Sequence, residues 1–168
     1  MRSSTFATFV ALLGLLSLAT TLRAQNRIVV SKEHFTLYVI SDGGDTLFAA
    51  PVCVGKHPGQ KLLWGDCRTP EGTFAITSIH DSRYWTHDFG DGLGRRKGAY
   101  GPYFFRLSVP GNSTFGIHGT CSPETVGTAA SEGCVRLKNI DLIRLRPYVF
   151  VGMKVTILPS SANPACWR

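Results

Sequence analysis

Between Arg27 and Gly55 the apolar residues follow the period of a strand, not of a helix. Ile28-Val29-Val30 is a β-branched run, and Phe35, Leu37 and Val39 are spaced by two, with Thr36, Tyr38 and Ile40 between them. Asp42-Gly43-Gly44-Asp45 supplies a turn, so the pattern predicts two strands meeting there in a hairpin and a third strand from Leu47 to Val54. One stretch reads as a good helix: Asn139 to Leu145, with Asn139 as its cap and Ile140, Ile143 and Leu145 supplying much of an apolar face. Pro147 tells against a long continuation. The chain is therefore expected to be mainly β.

The middle of the chain is punctuated by turn residues. Lys56 to Arg68 is a polar loop carrying Pro58, Gly59 and Gly65. Thr69-Pro70-Glu71-Gly72-Thr73-Phe74 is a turn that opens a further strand. His80 to Gly101 is the least regular part, with Tyr84, Trp85, Phe89 and Tyr100 set among five glycines, a mixture typical of a functional or mobile loop. Phe104 to Val109 and Phe115 to His118 read as short strands joined at Pro110-Gly111-Asn112, and Met153 to Leu158 as a closing strand. No internal repeat or domain linker is visible.

Residues 1–24 have the form of a secretory signal: Arg2, then an apolar run from Phe6 to Ala19, then Ala24 ahead of Gln25. The run is short for a membrane span, which needs about 20 residues, so cleavage is expected and no lasting membrane anchor. That leaves a single domain, 25–168, with an exported location, periplasm or cell envelope. The net charge of +7 falls to +5 without Arg2 and Arg23, the leader's two charged residues, so the domain stays basic and fits an anionic polymer or surface. No nucleic-acid motif is present, and no basic run exceeds Arg95-Arg96-Lys97.

Five cysteines in an oxidising compartment leave at least one thiol unpaired. Cys134 is the candidate. Cys53 with Cys67 and Cys121 with Cys166 are one way to pair the rest, though four cysteines allow three pairings. Cys134 also lies sixteen positions after His118, which ends an apolar run. A thiolate is a strong nucleophile and an imidazole its usual base, so the two together point to Cys–His acyl transfer. Gly133 lets the backbone turn sharply, and the N–H groups of Gly133 and Cys134 are candidates for an oxyanion hole. A zinc site built from His118, Cys121 and Cys134 matches no common ligand spacing, and neither a metal nor a cofactor is expected.

Ile117-His118-Gly119-Thr120 followed by Ser131-Glu132-Gly133-Cys134-Val135-Arg136-Leu137 resembles the catalytic signature of the bacterial L,D-transpeptidases, the YkuD-type domain. Thr69-Pro70-Glu71-Gly72-Thr73-Phe74 resembles that family's TPxGxF segment, and Val54-Gly55-Lys56 and Gly101-Pro102-Tyr103 fit its order. The resemblance covers about Arg27 to Leu158. It implies a barrel-like, mixed β-sheet domain with one or two short helices. It also implies a cysteine acyltransferase of peptidoglycan stem peptides, in cell-wall biogenesis and cell shape. A tetrapeptide donor acylates the cysteine, terminal D-alanine leaves, and an amine acceptor gives a 3→3 cross-link or an attached protein. Many members carry histidine where this chain has Glu132, and others lysine or serine.

On that resemblance Cys134 is the nucleophile and His118 the base, with the Gly119 carbonyl orienting the imidazole. Ser131 is a loop hydrogen-bonder or helper. Arg136 either binds a substrate carboxylate or braces the loop. Tyr100, Trp85 and Tyr84 line a peptide groove or fill the core. His34, His57, His80 and His87 lack a partner motif and are expected to be structural. The competing functions are an L,D-carboxypeptidase, with water as acceptor, and a non-catalytic wall-binding module. The latter predicts loss of Cys134 or His118, and both are present.

Overall fold

Residues 26–160 are described by a computed structural model of the protein. Their strands are β1 (Arg27–Ser31), β2 (Thr36–Ile40), β3 (Thr46–Pro51), β4 (Val54–Gly55), β5 (Gly72–Asp81), β6 (Thr86–Asp88), β7 (Arg95–Lys97), β8 (Tyr103–Leu107), β9 (Gly116–His118), β10 (Ala129–Ser131), β11 (Val135–Arg136) and β12 (Lys154–Leu158). One α-helix, α1 (Asn139–Leu145), lies between β11 and β12, and single 3₁₀ turns span Pro123–Thr125 and Arg146–Tyr148. Eight strands make one curled sheet in the order β11-β9-β8-β5-β12-β1-β2-β3, while β10 pairs with β4 and β6 with β7. No helix among the described residues is long and apolar enough to cross a membrane.

Two parallel contacts organise the sheet. β12 returns from the far end of the chain to lie beside β1, pairing Ile28 with Val155 and Val30 with Ile157. β11 lies beside β9, pairing Val135 with Ile117 and Arg136 with His118. The core fills the concave side: Ile28, Val30, Leu37, Val39, Phe105, Leu107, Ile117 and Val135 are buried against Leu142 and Leu145 of α1 and against Met153. Removing such side chains from water is the main stabilising contribution, roughly 1.5–3 kcal/mol for each large one.

Three local expectations need correction. Phe35 does not begin a strand; it sits at φ 46° in the turn between β1 and β2, so the hairpin at Asp42–Asp45 is the second in the chain. α1 spans the expected residues, but Lys138 is its N-cap, and Asn139 instead accepts the Thr120 N–H through Oδ1 at 2.9 Å. Its core face is Leu142 and Leu145, whereas Ile140 and Ile143 are 55% and 50% exposed. The helix is short and meets the sheet along one i, i+3 line, which leaves those two isoleucines outside it.

The pairing of Cys53 with Cys67 is also not made: both thiols are free. Cys53 is buried and takes a hydrogen bond from Arg136, while Cys67 lies on a loop with Sγ 3.5 Å from the Gly65 carbonyl. The predicted leader and Cys166 lie outside the described residues.

Candidate active site

Side chains alternate across a strand, so the residues that follow Ile117 and Val135 face away from the core. Ile117 and Val135 are fully buried in it. His118 and Arg136, paired across β9 and β11, therefore project from the opposite side of the sheet, while Cys134, one step before Val135, is partly buried against the core cluster. That side does not open to bulk solvent. His118 is 4% exposed and Arg136 7%; the rings of Tyr100 and Phe104 cover the first, and the second packs against Cys53. His118, Cys134 and Arg136 line one cavity of about 580 Å³, together with Ser131, Glu132 and Tyr100.

The histidine is held in one orientation. Its Nδ1 donates to the Gly119 carbonyl at 2.6 Å, which assigns the proton to Nδ1 and leaves Nε2 as an acceptor. Phe104 stacks on the imidazole at 5.3 Å between ring centroids, and Tyr100 lies at 4.9 Å. Residue 119 has to be glycine. A Cβ there would come within 2.2 Å of Asn139 Oδ1 and 2.9 Å of the Gly101 Cα. The close approach lets the Gly119 N–H donate to the Tyr100 carbonyl at 2.8 Å, which ties the covering segment to the histidine strand.

The cysteine loop is braced by hydroxyls. Ser131 Oγ donates to the Cys134 carbonyl at 2.7 Å and accepts the Gly133 N–H at 3.0 Å. Gly133 holds φ at 131°, in the range that favours glycine, and its carbonyl accepts a 2.6 Å bond from Thr69 Oγ1. Thr69 Oγ1 in turn accepts the Gly55 N–H at 2.8 Å. Behind it, buried Lys32 donates to the carbonyls of Gly59 and Thr69 at 2.7 and 3.2 Å and pairs with Glu71 at 2.5 Å. The TPEG turn is thus a brace for the cysteine loop. These bonds correct one expectation: the Gly133 N–H is committed to Ser131 Oγ and is not a free oxyanion donor.

Burial disfavours the charged forms of both His118 and Cys134. Burial is the main cause that lowers His118 to about 3, against the Gly119 hydrogen bond, which raises it; Arg136 adds a further lowering. Desolvation pushes the Cys134 thiol up to about 11, while a backbone hydrogen bond from Gly116 and the Arg136 charge pull it down. Arg136 divides its work. Its Nη2 donates to Cys53 Sγ at 3.1 Å, whereas its buried Nε has no hydrogen-bond partner among the described residues. This ties the side chain to Cys53 and not to the cysteine loop, and Nε remains an unpartnered donor.

The other expected residues divide differently. Tyr100 lines the cavity. Trp85 does not; it packs behind, at 5.8 Å from Tyr100 and 5.5 Å from Phe104 between ring centroids. Tyr84 is 83% exposed and not on the cavity. Cys121 is exposed, with Sγ 3.9 Å from Ser122 Oγ. His87, expected to be structural, lies on the cavity: its Nε2 donates to Glu132 Oε2 at 2.9 Å, and its Nδ1 accepts the Tyr100 hydroxyl at 3.1 Å. Cys67, Lys61 and Trp64 also reach the cavity wall. The sequence signal for His87 was its place among the aromatics and glycines of the irregular segment. Nothing local marked the residues of the 56–68 loop.

Comparison with solved structures places this sheet among L,D-transpeptidases. An L,D-transpeptidase from Mycobacterium smegmatis matches with a TM-score of 0.58 at 22% identity, over 80% of this chain and 58% of that one. L,D-transpeptidase 3 from Mycobacterium tuberculosis, in complex with a faropenem-derived adduct, matches with a TM-score of 0.59 at 19% identity, over 80% of this chain and 60% of that one. These likenesses establish the fold. The chain belongs to the YkuD family, the L,D-transpeptidase catalytic domain, which matches residues 25–157. The YkuD protein of Bacillus subtilis is 43% identical over 107 residues, 64% of this chain and 51% of the relative. That of Bacillus licheniformis is 40% identical over 109 residues, 65% of this chain and 52% of the relative. The chain spans about half the length of the curated relatives it matches.

Proposed function

We propose that this protein is an exported cysteine acyltransferase acting on peptidoglycan stem peptides. The observation that carries the reading is the commitment of His118 Nδ1 to the Gly119 carbonyl, which leaves Nε2 as the available base in the cavity that Cys134 lines. Cys134 Sγ attacks the carbonyl of the third residue of a tetrapeptide as His118 Nε2 takes the thiol proton. The tetrahedral oxyanion is met by the Cys134 N–H, and the unpartnered Arg136 Nε–H donates to a substrate oxygen. Collapse breaks the C–N bond, and His118 returns its proton to the departing D-alanine amine. An amine acceptor then attacks the thioester, and its proton passes through His118 back to the sulfur. Burial disfavours the charged form of both groups, which supports a base that acts during attack. Export rests on the leader-like residues 1–24.

Intact-mass measurement after incubation with a disaccharide-tetrapeptide and an amine acceptor tests this. The expected result is an acyl-enzyme that has lost D-alanine, and then a cross-linked product; free tripeptide alone assigns water as the acceptor. Cys134→Ser is expected to abolish covalent capture of a carbapenem-type probe without changing the fold. Labelling retained in that variant refutes the nucleophile.

A further inference from the structure

The loop after β4 carries three consecutive large apolar residues that face water: Leu62, Leu63 and Trp64 are 71%, 72% and 85% exposed. The loop is nonetheless built. Asp66 Oδ2 accepts the N–H groups of Leu62 and Leu63 at 2.8 and 3.0 Å, and its Oδ1 accepts the Arg68 N–H at 3.1 Å and pairs with Lys61 at 2.6 Å. Those bonds hold the Asp66 carboxyl well below its ordinary range. A patch of this kind, fixed and uncovered, marks a contact surface.

Its position says what it contacts. Leu62 and Leu63 line a groove of about 450 Å³ with Gln60, Asn112 and Trp64. Lys61, Trp64 and Asn112 line both this groove and the Cys134 cavity, so the groove adjoins the cavity and offers a path out of it. With the third residue's carbonyl at Cys134, an extended stem peptide advances about 3.3 Å per residue and emerges about 10 Å away. The amino end of such a peptide is joined to its sugar. A pyranose has an apolar face of C–H groups and a polar rim, which suits a flat exposed indole with amide side chains beside it. We infer that the Leu62-Leu63-Trp64 groove binds the saccharide of the peptidoglycan substrate, with Trp64 as the platform under one sugar ring. The inference rests on the proposed reaction at Cys134 for the direction of the path.

The test compares two ligands, a free tetrapeptide and the same tetrapeptide carrying its disaccharide, by calorimetry on Cys134→Ala protein, where no turnover intervenes. The native sequence at 64 is expected to bind the disaccharide form at least tenfold tighter. Trp64→Ala is expected to bring that ratio below two, and Trp64→Phe to keep most of it. Equal affinity for the two ligands, or a ratio unchanged in Trp64→Ala, overturns the groove assignment. Turnover by the unmodified protein separates this from the reaction itself. D-alanine released equally from both ligands leaves the acyltransferase standing and removes the groove. Trp64-dependent sugar preference without D-alanine release does the reverse. If the patch instead joins two copies of the chain, the tenfold ratio is absent and a dimer appears in solution that Trp64→Ala abolishes.

Discussion

Two regions enclose the cavity, and they are held by different forces. The wall, made of β9, β11 and the cysteine loop, is fixed by buried hydrogen bonds. Arg136 and Cys53 exchange backbone bonds at 2.7 and 2.9 Å, the Leu137 N–H donates to the His118 carbonyl at 2.9 Å, and Thr69 pins Gly133. The cover, Ser82 to Gly101, is anchored at its ends by Ser82 Oγ donating to the Gly101 carbonyl at 2.9 Å and by Gly119 donating to Tyr100. Its tip carries Gly90, Gly92 and Gly94 at positive φ and is held by surface contacts, among them Arg96 with Asp91 and His87 with Glu132. Buried bonds cost several times more to break than exposed ones, because the stranded group has no water to turn to. The cavity is therefore a rigid wall under a more compliant cover, and lesions in the two should separate into stability effects and binding effects.

The largest expected effect strikes the wall where three backbones meet. Gly119→Ala places a methyl 2.2 Å from Asn139 Oδ1 and 2.9 Å from the Gly101 Cα, so backbone must move. A loss of at least about 3 kcal/mol is expected, seen as a fall in Tm of about 10 °C, because overpacking that shifts backbone lies at the top of its range. A variant that melts with the parent would mean the wall is softer than its contacts indicate.

Acid reaches the same place. His118 titrates near 3 in the fold, against an ordinary 6.5, so below pH 6.5 the unfolded chain binds a proton that the folded one does not. Its contribution is fully present above 6.5 and is lost progressively toward 3. Between pH 7 and 4 that amounts to about 3 kcal/mol, and urea unfolding of His118→Gln should show a flatter dependence over this window. Thr69→Val is the next lesion in size. It keeps the shape but strands the Gly133 carbonyl and the Gly55 N–H, for about 2 kcal/mol and a slowing of probe acylation near a hundredfold. Normal acylation in Thr69→Val would detach the TPEG turn from the cysteine loop.

Much of this division was legible in the sequence. The Cys134 and His118 motifs, the Thr69 turn and the helix at 139–145 are local patterns, and local patterns survive folding because their turn and periodicity chemistry is read within a few residues. What could not be read depends on distant pairing. Nothing in Ile28-Val29-Val30 tells that β12 will lie beside it in parallel, and no residue near 53 tells that its sulfur will meet Arg136 in place of Cys67. Periodicity also misassigned the face of α1, since Ile140 and Ile143 fit an apolar stripe as well as Leu142 does until the sheet decides. His87 was missed for a related reason: its partner, Glu132, is 45 positions away.

That pair gives the mildest and most discriminating test. The His87 and Glu132 side chains are 31% and 44% exposed, so the bond between them is worth less than about 0.5 kcal/mol. His87→Ala should leave Tm within about 2 °C while raising KM for a stem-peptide donor about threefold, because Tyr100 loses the acceptor that steadies its hydroxyl over the cavity. The wall variants predict the opposite ratio, with kcat falling before KM rises. Glu132→Gln narrows the comparison further. Glutamine still accepts the His87 hydrogen bond, so the cover stays tethered, but the negative charge that helps raise the Cys134 thiol is gone. The midpoint of iodoacetamide alkylation against pH should then move down by a few tenths, with KM unchanged. A KM that rises in Glu132→Gln as it does in His87→Ala would show that the charge, and not the hydrogen bond, holds the cover to the wall.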